Sequence, residues 1–491
     1  MSPSLLLLVV FTPSAAALLV RLVQRPKLGR AIANASVLAT LLLSGMLALA
    51  VGAHPEEGLH WTSEALALPG ARWSFGVDAL GAPFLPLASA IASIVLIAGP
   101  RHELDREAIV TLLLTLSGIL GVMASFDLLQ LALFWVASLV PGSLDLRRRS
   151  RERPSCRASR VYDIFLVLGA IPMIATVALV GVARAGAGAA WLFELGPRLP
   201  PLAHAHQAAV FAAVVIAVIA RKAVFPLHSW LPVLVERGPL GVSAMTIGTH
   251  LGAFLVLRVA LPLAPEAATR GLPLFAALAL LSALYAAFLA LGQTSLLRAL
   301  GFVLTSQLGL VVVGLAGENV EALHGAMLTM LSTGLGATGL LIVAKSIEAR
   351  FGTTDLRELG GLVARFPRMA ASFFLLSIFA IGVPGTLGYV AEDLLLHGLL
   401  HGHVVLATAM LVVTVLSGVV LLRAYFTIFL GPERKGAGTG HVLRDLLPRE
   451  SLALGAIVLA LTVGGLYPQR LLDLRAPSVE HLVDRLSAHG P

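Results

Sequence analysis

RKAVFPLHSWLP, residues 221–232, is the stretch on which the fold turns. It closes an apolar run, 208–225, close to the roughly 20 residues a helix needs to cross a bilayer core. Arg221 and Lys222 stand side by side near the end of that run, and Pro226, His228 and Pro232 follow. Proline lacks the helical N–H donor and clashes with the preceding turn. In a membrane the carbonyls it frees must find other partners. The stretch therefore reads as a transmembrane helix broken beside two cations. A second break has the same character. The run 369–400 has 32 residues, too many for a simple crossing, and carries Pro384–Gly385 in its middle with Glu392 and Asp393 just beyond.

The rest of the chain agrees with a membrane reading. Its 491 residues are 57% hydrophobic and 13% charged, with mean hydropathy +0.90, against about 45–50% and ~25% in soluble domains. This predicts an all-α integral membrane protein. Fourteen spans are expected: 5–20, 31–51, 77–98, 109–125, 128–141 (or 126–144), 161–182, 208–225, 242–263, 272–291, 299–315, 322–343, 369–400, 404–430 and 452–466. The broken helices are the seventh and the twelfth. The lone cysteine, Cys156, excludes a disulfide framework, a CxxC zinc site and a cysteine-ligated iron–sulfur cluster. With no GxGxxG after a strand, no P-loop and no haem-attachment motif, no cofactor, metal or catalytic centre is expected in the chain.

Charge orders the spans. The loops after the odd-numbered spans hold 24 Lys and Arg, and the loops after the even-numbered ones hold four. Positive loops stay cytoplasmic, so the odd loops are expected inside and both termini outside. The net charge of +8 is thus spread over short loops, and nucleic acid is excluded as a partner. The dense run at 147–160 is read as a topology anchor. Arg258 and Arg423 sit near helix ends and are expected to snorkel. Asp127 and Asp163 are expected at the interface.

Set helices 4–8 against helices 9–13 and each break falls on the fourth helix of its set. An odd number of helices per set makes the two sets enter from opposite sides. This is the pattern of inverted-repeat transporters, whose ion sites gather at paired discontinuous helices. The expected division is 1–106 for helices 1–3, 107–263 and 264–432 for the two five-helix repeats, and 433–491 for the last helix and a short tail. Titratable groups collect near the breaks: Arg221, Lys222, His228 and His250 at the first, Glu392 and Asp393 at the second. Lysine suits a proton relay better than arginine, because burial can bring its pKa into range.

KAVFPLHSWLP at 222–232 resembles a segment of the antiporter-like, proton-translocating membrane subunits of respiratory complex I, shared with Mrp-type cation/proton antiporters and the membrane arms of energy-converting hydrogenases. FGVDALGAPF (75–84), FDLLQLALFW (126–135), GQTSLLRALGFVLTSQLGLVVVG (292–314), LGGLVARFP (359–367) and GVPGTLGYVAED (382–393) resemble further segments of the same family, in order. The short tail resembles the M and N types or the D-type Mrp subunit. The resemblance implies a fold of fourteen helices with proton movement along a polar mid-membrane axis.

The departures narrow that implication. The family glutamate after the helix 5 tryptophan falls on Val136, and the helix 7 lysine falls on Arg221 with Lys222 one residue later. The helix 8 lysine falls on His250, the helix 10 histidine on Gln307 and the helix 11 histidine on Thr333; the helix 12 glutamate is kept as Glu392. An arginine stays protonated and cannot be the family's switch. The relay is therefore expected to have moved to Lys222 and His250. The expected role is a proton-translocating membrane subunit of a complex I-like NADH:quinone oxidoreductase or related redox-driven complex, working with other membrane subunits in a bacterial inner membrane. Alternatives are an Mrp-type antiporter subunit moving monovalent cations, a membrane partner in proton-driven inorganic-carbon uptake, and an assembly paralogue that pumps nothing.

Overall fold

A computed structural model describes residues 4–55, 58–63, 70–152, 158–189, 191–196, 199–434 and 444–488. Arg153, Cys156 and Lys435 lie outside these residues. The chain opens with α1 (Ser4–Leu22) and α2 (Pro26–Ala53), then a hairpin of β1 (Leu59–Ser63) and β2 (Trp73–Val77), then α3 (Phe84–Ala98). The first set follows as α4 (Arg106–Ala124), α5 (Leu128–Ala137), α6 (Val140–Glu152), α7 (Ala158–Gly186), α8 (His204–Lys222), α9 (Trp230–Arg237), α10 (Leu240–Gly248), α11 (Leu251–Leu255), a π-helical turn Val256–Ala260 and α12 (Leu261–Leu263). The second set is α13 (Pro265–Leu291), α14 (Leu296–Leu315), α15 (Val320–Phe351), α16 (Pro367–Ile381), α17 (Leu387–Leu400) and α18 (Val404–Tyr425) with its π-helical turn Phe426–Leu430. The chain continues through α19 (Pro448–Leu466), α20 (Gln469–Asp473) and α21 (Ala476–Ala488).

Among the described residues, twelve helices are long and apolar enough to cross a membrane, with α5–α6 and α10–α12 each counted as one rod; α3 and α16 are shorter apolar helices. Their order follows the expected spans. Starts are marked by local chemistry. Asp105, Asp127, Ser295, Asn319 and Thr386 each accept a backbone N–H from the first turn of the helix they open, and Pro26, Pro265, Pro367 and Pro448 occupy first-turn positions whose N–H would be orphaned anyway. Burial is inverted relative to a soluble protein. Leu49, Ile171, Leu274, Val405 and Leu459 face outward, while Lys222, His250, Thr305 and Arg258 are buried. The centre is built by α14, α15 and the α10–α12 rod, and the rim by helices such as α2, α7 and α19 that keep an apolar outer face.

Two expectations change, and one element is new. The hairpin was not foreseen: its antiparallel register sets Trp61 opposite Phe75, and aromatic residues favour such a pleated, half-buried surface. The fifth span does not stop near residue 144. After a turn at Ser138 and Leu139 it continues as α6 through the arginine run, because ion pairs receive those charges: Arg148 and Arg149 with Asp145, Arg148 also with Asp105, and Arg147 with Asp163. Lys345, read as a loop residue, lies inside α15 at 5% exposure, paired with Glu348 at 2.9 Å and Glu103 at 3.5 Å. With Arg350 paired to Glu450, these contacts tie the loops after the expected helices 3, 5, 11 and 13 to one another.

Candidate functional site

α8 ends at Lys222 because Ala223 turns left-handed, φ 53°, and returns its N–H to Ile219 O. Two cations thus sit at a helix C-terminus, where unpaired carbonyls favour positive charge. One of those carbonyls, Ala220 O, accepts the Trp230 indole N–H at 3.1 Å, so a side chain from beyond the break repairs it. Neighbours on a helix point about 100° apart, and the two cations accordingly enter different surroundings. Arg221 faces α5. Its Nη2 donates to Ser138 Oγ at 2.9 Å and its Nη1 to Trp135 O at 3.5 Å, and the guanidinium lies 4.3 Å from the Trp135 ring centroid. Ser138 Oγ in turn donates to Trp135 O at 2.7 Å, leaving its lone pair for the arginine. Among the described residues no carboxylate pairs with Arg221. A hydroxyl, a carbonyl and an indole face take that role, beside Val136.

Lys222 faces the other way. Its Nζ lies 2.6 Å from His250 Nδ1, and His250 Nε2 lies 2.9 Å from Thr333 Oγ1. Thr333 Oγ1 donates to Thr329 O at 2.6 Å. His250 can bridge because the eighth span is itself broken: α10 stops at Gly248, and His250 takes φ 50° before α11 resumes. Two glycines permit the close approach. A Cβ on Gly252 would fall 2.7 Å from Lys222 Cγ, and one on Gly334 would fall 2.5 Å from the Gly248 carbonyl oxygen.

At the second break α16 stops at Ile381, and Gly382 (φ 74°) and Gly385 (φ 91°) carry the chain past Pro384 to α17. Again a side chain repairs a freed carbonyl: Gln307 Nε2 donates to Ala380 O at 3.3 Å. Glu392 follows on α17. Its Oε1 accepts from Thr414 Oγ1 at 3.4 Å, and it forms no ion pair among the described residues. Gln307, Thr329, Ser332, Thr333 and Glu392 line one cavity of about 30 Å³, and about 10–15 Å³ of such space is enough for a water. The residues at three altered or retained family positions therefore meet around one void, walled otherwise by apolar residues such as Leu310, Phe379 and Leu395, that begins where the Lys222–His250 pair ends.

Two candidates stand apart. His228 packs against Phe225 and Tyr285, with ring centroids 5.7 and 5.1 Å away. Asp393 points outward beside His397. The expectation that Arg258 snorkels is overturned. It is 4% exposed, held by Asp78 through two bonds of 2.6 and 2.7 Å, and lies 4.5 Å from the Phe126 ring centroid. The π-helical turn carries it. Arg423 is exposed and donates to Leu291 O, as expected of a snorkelling side chain. Asp127 is buried and caps α5 through Leu129 N and Gln130 N rather than lying open at an interface. Sequence reasoning missed Asp78, Ser138 and Glu103; an acid at the edge of an apolar span, as Asp78 is, was the available signal. Among the described residues no three His, Cys, Asp or Glu side chains gather as metal ligands.

Residues 125–417 match the family described as NADH:quinone oxidoreductase/Mrp antiporter, TM. NADH-quinone oxidoreductase subunit M of Mycobacterium tuberculosis is 25% identical over 461 residues, covering 86% of this chain and 83% of that protein. A chain of respiratory complex I from Thermus thermophilus with bound NADH aligns at TM-score 0.87 and 26% identity, over 98% of this chain and 99% of that one. A chain of the Mrp complex from a Dietzia species aligns at TM-score 0.82 and 21% identity over the full length of both, a likeness of fold. The helical architecture and these likenesses describe a multi-pass membrane protein of the complex I type. The chain belongs to the NADH:quinone oxidoreductase/Mrp antiporter transmembrane family.

Proposed function

We propose that this chain conducts protons within the membrane as a subunit of a complex I-like assembly, along an axis from Lys222 through His250 and Thr333 to Glu392. The observation that carries the reading is the 2.6 Å contact between Lys222 and His250, continued through Thr333 to a cavity lined by Glu392. Buried ionisable groups are costly in a membrane and are retained where they serve ion movement. The helix breaks favour two inverted repeats, 107–263 and 264–432, since each is mended by a side-chain donor to a carbonyl near the end of the first half-helix. The charge pattern supports an inner-membrane placement with the odd loops cytoplasmic and both termini outside. Arg221 acts as a fixed charge, because its partners are a hydroxyl, a carbonyl and a ring, none of which takes its proton. The test is proton flux in vesicles reconstituted with the complex purified through this chain. Lys222→Ala and Glu392→Gln must each lower flux; full flux in both, at equal assembly, rejects the reading.

A further inference from the structure

With Lys222 protonated, the hydrogen bonds around His250 have one consistent order. Thr329 O is a carbonyl and can only accept, so the proton of Thr333 Oγ1 is committed to it at 2.6 Å. Thr333 Oγ1 must then accept from His250 Nε2–H at 2.9 Å. His250 Nδ1 is left with a bare lone pair, and Lys222 Nζ donates to it at 2.6 Å. In this arrangement the chain of donors runs from Lys222 to Thr329 O and stops there. A carbonyl on a helix is a dead end for a proton.

The cavity lies beside that dead end. Thr333, Thr329 and Ser332 line it with Gln307 and Glu392. Turning about its own C–O bond carries the Thr333 hydroxyl proton from Thr329 O toward this space. The carbonyl is not stripped by the turn, because Ser332 Oγ also donates to it, at 3.3 Å. Back-bonding of a helical threonine to the carbonyl four residues earlier is a common resting state, and here that state closes the hydrogen-bonded link that runs, among the described residues, from Lys222 to the void.

From this we infer that the Thr333 hydroxyl is the gate between the two halves of the conducting axis: closed when bonded to Thr329 O, open when turned to a water in the Glu392 cavity. The inference rests on the axis proposed above. In the open state the step balances with water as the one added reactant. The Lys222 Nζ–H bond breaks as a His250 Nδ1–H bond forms. The His250 Nε2–H bond breaks as a new bond to Thr333 Oγ1 forms. The proton already on Oγ1 leaves to the water, and one proton of that water passes to the Glu392 carboxylate. Lysine ends neutral, glutamate ends as the acid, and no group gains or loses electrons. The imidazole is left as the other tautomer, so ring and hydroxyl must turn back before the next transfer.

The hydroxyl, and not the volume, is what the gate needs. Thr333→Val keeps the shape and removes the switch; Thr333→Ser keeps the switch. Proton flux is to be measured for both in vesicles holding the assembled complex, with Glu392→Gln alongside. The expected result is a loss of about 100-fold in Thr333→Val, the scale of a positioned proton-transfer group, with Thr333→Ser within about twofold of the parent chain and Glu392→Gln also low. Flux retained in Thr333→Val while Glu392→Gln is low overturns the gate and spares the axis. Equal loss in the serine and valine variants assigns Thr333 to packing and also overturns the gate. Retention in Thr333→Val and Glu392→Gln together overturns both.

Discussion

Arg221 and Lys222 are adjacent in the sequence and differ in everything that surrounds them. The sequence placed both at a helix break, and the residue rules said that arginine could not be a switch. It did not say what would receive the arginine, because Ser138 Oγ and the Trp135 ring are brought in by α5, more than 80 residues away in the chain. His250 was legible as a titratable group one helix later, but its contact with Lys222 depends on a backbone conformation that no proline announces. Substitution separates the two cations. Lys222→Ala and His250→Ala should each lower coupled proton flux about 100-fold with assembly retained, while Arg221→Lys should conduct near normally; a dead Arg221→Lys with a normal Lys222→Ala would reverse the assignment. The Asp78–Arg258 pair tests stability instead. Removing one partner strands a buried charge, at a cost of about 3–5 kcal/mol. Asp78→Ala and Arg258→Ala should therefore lower the thermal midpoint of the detergent-purified protein, and the paired replacement Asp78→Leu with Arg258→Met should recover much of the loss. A paired variant no better than either single would count against the charge argument.

At the scale of elements, proline made two of the breaks readable. Pro226 and Pro384 lie where α8 and α16 have just ended. The third break, at Thr249–His250, was not readable, since a non-glycine residue adopts the left-handed region there only because tertiary contacts hold it. The arginine run misled for a similar reason. Its charges looked like loop, but carboxylates from two other segments let the helix continue. Asp105 shows this twice over, capping α4 through Ala108 N and receiving both Nη atoms of Arg148. Partial burial pushes its carboxyl pKa up, and the Arg148 bonds outweigh that and hold it below the usual value. A depressed folded pKa means that its stabilisation is present above the unfolded value of about 3.9 and fades as pH falls through the lower folded one. Asp105→Ala should cost about 1 kcal/mol at neutral pH, the usual worth of a helix cap. The penalty should shrink in thermal unfolding scans taken below about pH 4; an unchanged penalty in acid would remove the ion pair from the account.

For the whole molecule, the 24-to-four division of positive charge carried the order of the spans, and the ion pairs joining the loops after helices 3, 5, 11 and 13 make one face of them. Reporter fusions after Arg153 and after Lys435 should both report the cytoplasm and a fusion near Glu318 the outside; opposite readings at Arg153 and Lys435 would break the fourteen-span order. What the sequence could not supply was the cavity at Glu392. Gln307, Thr333 and Glu392 are spread over 86 residues, and only the packing of α14, α15 and α17 turns them onto one cavity. The proposed axis therefore depends most directly on Glu392. Glu392→Gln keeps the shape of the side chain and removes its capacity to exchange a proton. Proton flux measured in vesicles with the assembled complex should fall about 100-fold in this variant with assembly unchanged, and flux equal to that of the parent chain would contradict the proposed axis.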